Sequence, residues 1–158
     1  MWEMPILSIV SELMHNLRGD IRRYNPEREQ LRAEAKARKI FSNGLILSDM
    51  GTRRRLSFDH QEMVIRTMKA VYEQGGYDDD NGHHPWTGRF TGTSNVFLAM
   101  KFDLIPIGTM SHQIIEFEEN VSGVFECNFN VMRKFSDVYD GDNGIYLYDC
   151  FSDKVFFG

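Results

Sequence analysis

Cysteine is scarce: the sequence holds only Cys127 and Cys150. They lie far apart and match no metal-ligand or redox spacing, which leaves reduced thiols in a cytosolic protein as the simplest reading. No apolar run approaches the 18 or so residues of a transmembrane helix, so no segment is expected to span a membrane. The N-terminal stretch carries acidic Glu3 and Glu12 and no basic cluster, so a secretion signal is not expected either. Positive charge is in deficit, with a formal net charge of -5, which argues against broad nucleic-acid binding. Internal repeats and low-complexity tracts are absent. What is present is material for a core: 42% of the 158 residues are apolar and 13% aromatic, enough for one domain or for part of a larger one.

Periodicity organises the chain. Pro5 suits a first helical turn, and Ile6, Ile9, Val10, Leu13, Met14 and Leu17 recur at helical spacing, predicting a helix over 5–17. So apolar a helix implies a neighbouring surface to cover it. Residues 26–39, opened by Pro26, read as a charged, solvated helix with Leu31, Ala35 and Ala37 as its sparse apolar positions. A short buried strand is expected from Gly44 to Leu47, running into Ser48-Asp49. Ser57 or Asp59 can cap a helix carrying Met63, Val64, Met68, Val71 and Tyr72 on one face, ended by Gly75-Gly76. Residues 75–91 are polar, glycine-rich and acidic and read as a long loop. A brief helix over 95–102, a strand at 105–107, a helical region over 111–138 and a strand from Ile145 to Tyr148 complete the pass. The recurring order of strand, polar turn and helix favours parallel α/β architecture, in which ligands gather at the carboxyl ends of strands.

Several polar segments fall at such ends. His112 closes Gly108-Thr109-Met110-Ser111-His112, behind the apolar run Ile105-Pro106-Ile107. An imidazole there can accept a proton or a phosphoryl group, although a lone histidine is more often structural. Gly51-Thr52 precedes Arg53-Arg54-Arg55; a guanidinium matches carboxylate and phosphate in bidentate fashion, but three consecutive arginines cannot all face one ligand. Gly92-Thr93-Ser94-Asn95 reads as the opening of a helix able to hold an anion or a polar ring, with simple capping as the plainer alternative. Asp49 and Asp149 each follow a strand, and each can orient His112 or bind a metal, with a hydrogen-bonded turn carboxylate as the plainer alternative for either one alone. His83-His84 beside Asp78-Asp79-Asp80 has metal-binding residue types, yet no second cluster completes a site, and a solvated loop is the better reading. Trp86 either folds back or touches a partner, and Phe117, Phe125, Phe129 and Phe135 read as core.

Taken in order, Asp49-Met50-Gly51-Thr52-Arg53-Arg54-Arg55, then Phe90-Thr91-Gly92-Thr93-Ser94-Asn95-Val96 with Leu98-Ala99, then Gly108-Thr109-Met110-Ser111-His112 resemble the nicotinate phosphoribosyltransferase family. Trp2-Glu3-Met4-Pro5-Ile6-Leu7, Ser11-Glu12 and Tyr148-Asp149-Cys150 extend the resemblance over nearly the whole chain. It implies a partial irregular α/β barrel of the type II phosphoribosyltransferase kind, with a leading helical segment over 1–43 and the partial barrel over 44–158. It further implies a cytoplasmic enzyme of NAD biosynthesis that joins nicotinate to phosphoribosyl pyrophosphate, with Mg²⁺ and coupled ATP hydrolysis through a phosphorylated histidine. By resemblance that histidine is His112. Arg53 and Arg54 would face the nicotinate carboxylate and the phosphates; Thr93, Ser94 and Asn95 would border the pyridine ring, and Gly108 and Thr109 would also line the substrate. Asp149 would lie on the phosphoribosyl side, near Mg²⁺. Partners would be the three substrates and either further copies of the chain or a complementary chain, with no nucleic acid or membrane.

The sequence departs from the family pattern at Met50, where a phenylalanine is usual, at Gln113, where glutamate is usual, and in the length of loop 75–91. The resemblance covers a central segment, without the N-terminal domain and the later barrel strands, so the isolated chain is expected to turn over little or no substrate. An alternative from another class is a non-catalytic remnant acting as an interaction or subunit-capping module.

Overall fold

In the computed structural model, residues 3–75, 87–140 and 144–157 are described, and they fall in two compact units, Met1–Ile107 and Gly108–Gly158. The architecture is mixed α/β, mostly helical, with one small parallel sheet. His83, His84, Trp86 and the Asp78–Asp80 run lie outside the described residues.

The first unit opens with α1 (Glu3–Leu17), whose apolar residues Ile6, Ile9, Val10, Leu13 and Leu17 remain exposed while only Ser8 is buried. Its polar side makes the contacts: Ser11 Oγ donates to the Arg55 carbonyl at 2.8 Å, and Glu12 pairs with Arg55 at 2.6 Å. Next comes α2 (Pro26–Ser42), with Pro26 at its first turn and Asn25 as N-cap, whose side chain accepts from the Arg28 N–H. Sequence reading made α2 a solvated helix with sparse apolar positions at Leu31, Ala35 and Ala37. The structure corrects this, because Ala33, Ala37 and Phe41 form a buried stripe packed on α3, while Leu31 is exposed. Small alanines let the two helices approach, and Phe41 closes the contact.

The strand β1 (Ile46–Asp49) leads through a 3-10 turn, Thr52–Arg54, into α3 (Phe58–Gly75), capped by Ser57, whose Oγ accepts from the His60 N–H at 3.1 Å. A strand β2 (Arg89–Thr93) then pairs parallel with β1. Sequence reading had assigned residues 89–91 to the loop and Gly92-Thr93 to a helix start; both belong to this strand. The register slips between Leu47 and Ser48, so Thr91 is the extra residue on β2. Its hydroxyl donates to the Leu47 carbonyl at 3.0 Å, which holds the bulge. Gly92, at φ +144°, must be glycine: a Cβ would stand 2.1 Å from the Ile105 carbonyl oxygen.

Asn95 caps the short α4 (Val96–Lys101) through its Oδ1. The expected strand at 105–107 is reduced to a single parallel bridge between Thr93 and Pro106. Buried Ala37, Phe41, Ile65, Val71, Phe90 and Leu98 form the core of this unit, seating the sheet on α2, α3 and α4. Full burial of side chains such as Phe41 and Ile65 contributes about 1.5–3 kcal/mol each.

In the second unit the predicted helix over 111–138 is two helices, α5 (His112–Ser122) and α6 (Cys127–Tyr139). Gly123, at φ +83°, ends α5 in a conformation that other residues rarely adopt. Met110, Ile115, Cys127 and Val131 make a small core, and Lys134 donates to buried Glu118 at 2.7 Å. Only one side of each helix packs. Phe117, Phe125 and Phe129, expected in the core, are therefore exposed, and of the four only Phe135 is packed against it. The strand expected at Ile145–Tyr148 does not form; one hydrogen bond, from the Met110 N–H to the Ile145 carbonyl, joins it to the chain before α5. A short α7 (Asp153–Phe157) follows.

Candidate functional site

Two polar constellations stand out, one in each unit. In the first unit it forms where β1 and β2 end. Asp49, the last residue of β1, turns its carboxylate toward three donors. Oδ1 accepts the Gly51 N–H at 3.1 Å, while Oδ2 accepts the Thr93 hydroxyl at 2.7 Å and Gln61 Nε2 at 3.0 Å. An Asx-type turn of this kind reverses the chain after the strand. It also favours glycine at 51, because a Cβ there would meet Asp49 Oδ1 at 2.9 Å and the carboxylate would have to shift.

The same groups tie the three segments together. Thr93, fully buried, accepts the Asn95 N–H at 3.1 Å on the oxygen that donates to Asp49. The Ser94 N–H donates to the Asp49 carbonyl at 2.8 Å. Thr52 Oγ1 accepts from Gln61 Nε2 at 2.9 Å and from Asn95 Nδ2 at 3.3 Å. Ser94 Oγ and Gln61 Oε1 are buried without a hydrogen-bond partner among the described residues.

The arginines leave this network in different directions, as a 3-10 turn dictates. Arg55 packs over Phe58, with its guanidinium carbon 5.1 Å from the ring centroid, and is held by Glu12. Arg53 reaches Glu3 at 3.5 Å, a partly exposed pair of small energetic worth. Arg54 is exposed; its backbone N–H donates to the Gly51 carbonyl at 2.9 Å, and its guanidinium makes no ion pair to a described residue. Met50 is also exposed.

In the second unit His112 is the first residue of α5, and its Nε2 lies 3.0 Å from Asp149 Oδ1. An ionised carboxylate only accepts, so the ring donates from Nε2, and the neutral tautomer compatible with this contact has its lone pair on Nδ1. The Met110–Ile145 hydrogen bond lays residues 145–149 beside this turn and carries Asp149 to the histidine. Cys150 lies on the same turn with its thiol 3.9 Å from the His112 carbonyl; burial, then the charges of Glu116 and Asp149, push that thiol up, so it stays protonated near neutral pH. Thr109 Oγ1 is spent on the Met110 carbonyl, and a Cβ at Gly108 would meet only open space.

Thr93, Ser94 and Asn95 thus gather with the turn that carries Arg53 and Arg54, and His112 gathers with Asp149. Sequence reading missed Gln61. Its signal was a polar residue at helical spacing from buried Ile65, on the face that packs against the sheet. Among the described residues no group of three or more potential metal ligands converges, and no helix is long and apolar enough to cross a membrane.

The sequence model of the Nicotinate phosphoribosyltransferase (NAPRTase) family matches residues 45–157. The chain is 31% identical over 157 residues to a nicotinate phosphoribosyltransferase of Chromohalobacter salexigens, covering 99% of this chain and 36% of that protein. It is 33% identical over 159 residues to the Saccharomyces cerevisiae nicotinate phosphoribosyltransferase, covering 99% and 35%. A crystal structure of nicotinate phosphoribosyltransferase from Porphyromonas gingivalis superposes with a TM-score of 0.76 at 29% identity, covering 98% of this chain and 36% of that one. The chain therefore spans about 36% of the length of such relatives.

Proposed function

This chain belongs to the nicotinate phosphoribosyltransferase family, and we propose that it supplies the phosphoryl-accepting and pyridine-facing part of such an enzyme, as a segment of its irregular barrel. The reaction joins nicotinate to phosphoribosyl pyrophosphate, giving nicotinate mononucleotide and pyrophosphate, with ATP hydrolysis coupled to it.

The observation that carries the reading is the His112–Asp149 pair. With Nε2 held at 3.0 Å by a carboxylate, Nδ1 of His112 makes no hydrogen bond to a described residue. It is the atom to receive the γ-phosphoryl group of ATP, with ADP leaving. The carboxylate orients the ring and stabilises the positive charge that develops on it. His112 is the first residue of α5, and helix N-termini favour anions such as a phosphoryl group. Arg53 and Arg54 neutralise the nicotinate carboxylate and the phosphates. Thr93, Ser94 and Asn95 border the pyridine ring, though Asn95 already spends both amide atoms on Leu98 and Thr52. Gly108 gives substrate close access to the backbone, and Thr109 stiffens that turn. Mg²⁺ would enter on substrate phosphates, with Asp149 the carboxylate this unit offers beside His112.

The test supplies the chain with the flanking segments of a full-length bacterial relative and measures nicotinate mononucleotide formed with and without ATP. Product should form, and His112→Ala should abolish the ATP-dependent gain. Unimpaired coupling in His112→Ala, or no product from the complemented chain, overturns the reading. One observation favours a second reading, an interaction module: the exposed apolar residues of α1 and of Phe117, Phe125 and Phe129. Failure of complementation together with stable association would select it.

A further inference from the structure

Gln61 is buried in the first turn of α3, at 4% exposure, and belongs to none of the three polar turns. One nitrogen, Nε2, donates both to Asp49 Oδ2 at 3.0 Å and to Thr52 Oγ1 at 2.9 Å. Its carbonyl oxygen is buried without a partner among the described residues. The two halves of this amide are not interchangeable here. Flipping it would turn the carbonyl onto the Asp49 carboxylate and leave Thr52 only the 3.3 Å donor from Asn95, so the electrostatics of Asp49 dictate the orientation even though one acceptor goes unpaired.

The consequence falls on the arginine turn. Thr52 is the first residue of the 3-10 turn that ends at Arg54, and the Arg54 N–H closes that turn on the Gly51 carbonyl at 2.9 Å. The far side of the turn is anchored separately, by Ser11 and Glu12 of α1 on Arg55. Asn95 touches Thr52 only at 3.3 Å and is committed to capping α4. On the near side the Gly51 N–H already donates to Asp49 Oδ1 at 3.1 Å, and the Gln61 amide adds a side-chain bridge from the strand carboxylate to Thr52, the first residue of the turn.

We propose that Gln61 is a positioning residue: its amide locks the Thr52–Arg54 turn against Asp49 and so sets the direction in which Arg53 and Arg54 are presented to an anionic ligand. The ligand half of this statement rests on the function proposed above; the turn half does not.

The experiment uses the full chain and its Gln61→Met and Gln61→Glu variants. Amide exchange at Arg54 is compared with exchange at Ile65 inside α3, after correction for intrinsic rates, at pH 5 and pH 8. In wild type the ratio should be the same at both values. Gln61→Met, of similar size but without a donor, should lose about tenfold protection at Arg54 relative to Ile65 at both. Gln61→Glu should lose it at pH 8 and recover at pH 5, where the two facing carboxylates share a proton that restores a donor. The loss in uncharged Gln61→Met separates donation from space filling, since the new carboxylate of Gln61→Glu opposes Asp49 at pH 8 whatever the native amide does. Unchanged protection in Gln61→Met, an equal loss at Ile65, or no recovery in Gln61→Glu overturns the proposal. Titration with nicotinate and with inorganic pyrophosphate forms the second arm. Weaker binding in Gln61→Met than in wild type supports the ligand half, and equal affinities refute it. The titration is made on the chain complemented with the flanking segments; if that wild type binds neither anion the ligand half fails, the complementation assay decides the proposed function separately, and the exchange ratios still decide the turn.

Discussion

Replacing Thr93 by valine keeps the shape of a fully buried residue and deletes one oxygen. That oxygen donates to Asp49 Oδ2 at 2.7 Å and accepts the Asn95 N–H at 3.1 Å. A hydrogen bond to a carboxylate contributes roughly 1.5–3 kcal/mol, and an orphaned buried amide costs roughly 1–3 kcal/mol. Asp49 retains two other donors, and half-buried Asn95 has some access to water, so the low end of each range applies and the expected loss is about 2.5 kcal/mol. Thr93→Ser is the control. It keeps the oxygen and deletes a methyl group, for a cost of about 1 kcal/mol. Urea unfolding followed by circular dichroism reads the difference: at a slope near 2 kcal/mol/M, Thr93→Val should unfold about 1.2 M earlier than wild type. A valine variant within about 0.5 kcal/mol of wild type, or a serine variant as damaged as valine, would refute the assignment of that stability to the hydroxyl.

Three further outcomes follow from other sites. Gly92→Ala should cost more than about 3 kcal/mol, because a disfavoured φ and a backbone clash combine; thermal unfolding close to that of wild type would contradict the geometry. Asp149→Asn should preserve the fold, by circular dichroism, yet slow ATP-dependent phosphorylation of His112 by about tenfold or more, read with labelled ATP in the complemented enzyme; an undiminished rate removes Asp149 from the mechanism. Burial holds His60 below the ordinary histidine value near 6.5, partly offset by Glu29. Its folded-state affinity for protons is therefore the weaker one. Stability should fall as pH drops through the unfolded value towards the folded one, and above it no penalty remains. The stability difference between wild type and His60→Asn should shrink as pH is lowered from 7.5 to 5, and a widening difference reverses the sign.

Helices α1 and α3 were legible because each combines a stripe of apolar spacing with a proline or serine at its start, and α2 and α4 because Pro26 and Asn95 mark their starts, although the buried stripe of α2 was not read. β2 was not. Arg89–Thr93 contains a glycine and follows a polar stretch, and its strand character comes from pairing with residues more than forty positions away. Ile145–Tyr148 shows the converse: good strand residues, with a single backbone bond to hold them, form no strand. In the site, Asp49, Thr93 and Asn95 announced themselves as polar residues beside apolar runs, whereas Gln61 hid within a helix because its partners come from the turn and strand before it. The alignment of His112 with Asp149 was open in the sequence as one of several options, since it depends on the course of residues 145–149.

Pro106 has one more effect on the sheet. The Thr93 N–H bonds the Ile105 carbonyl and the Ile107 N–H bonds the Thr93 carbonyl, so residues 105 and 107 direct their polar groups inward, to β2. Pro106, exposed between them, faces outward and has no N–H to offer. A strand arriving at that rim would find an acceptor without its matching donor, so uncontrolled stacking of chains through this side is blocked at the residue next to the Gly92 approach.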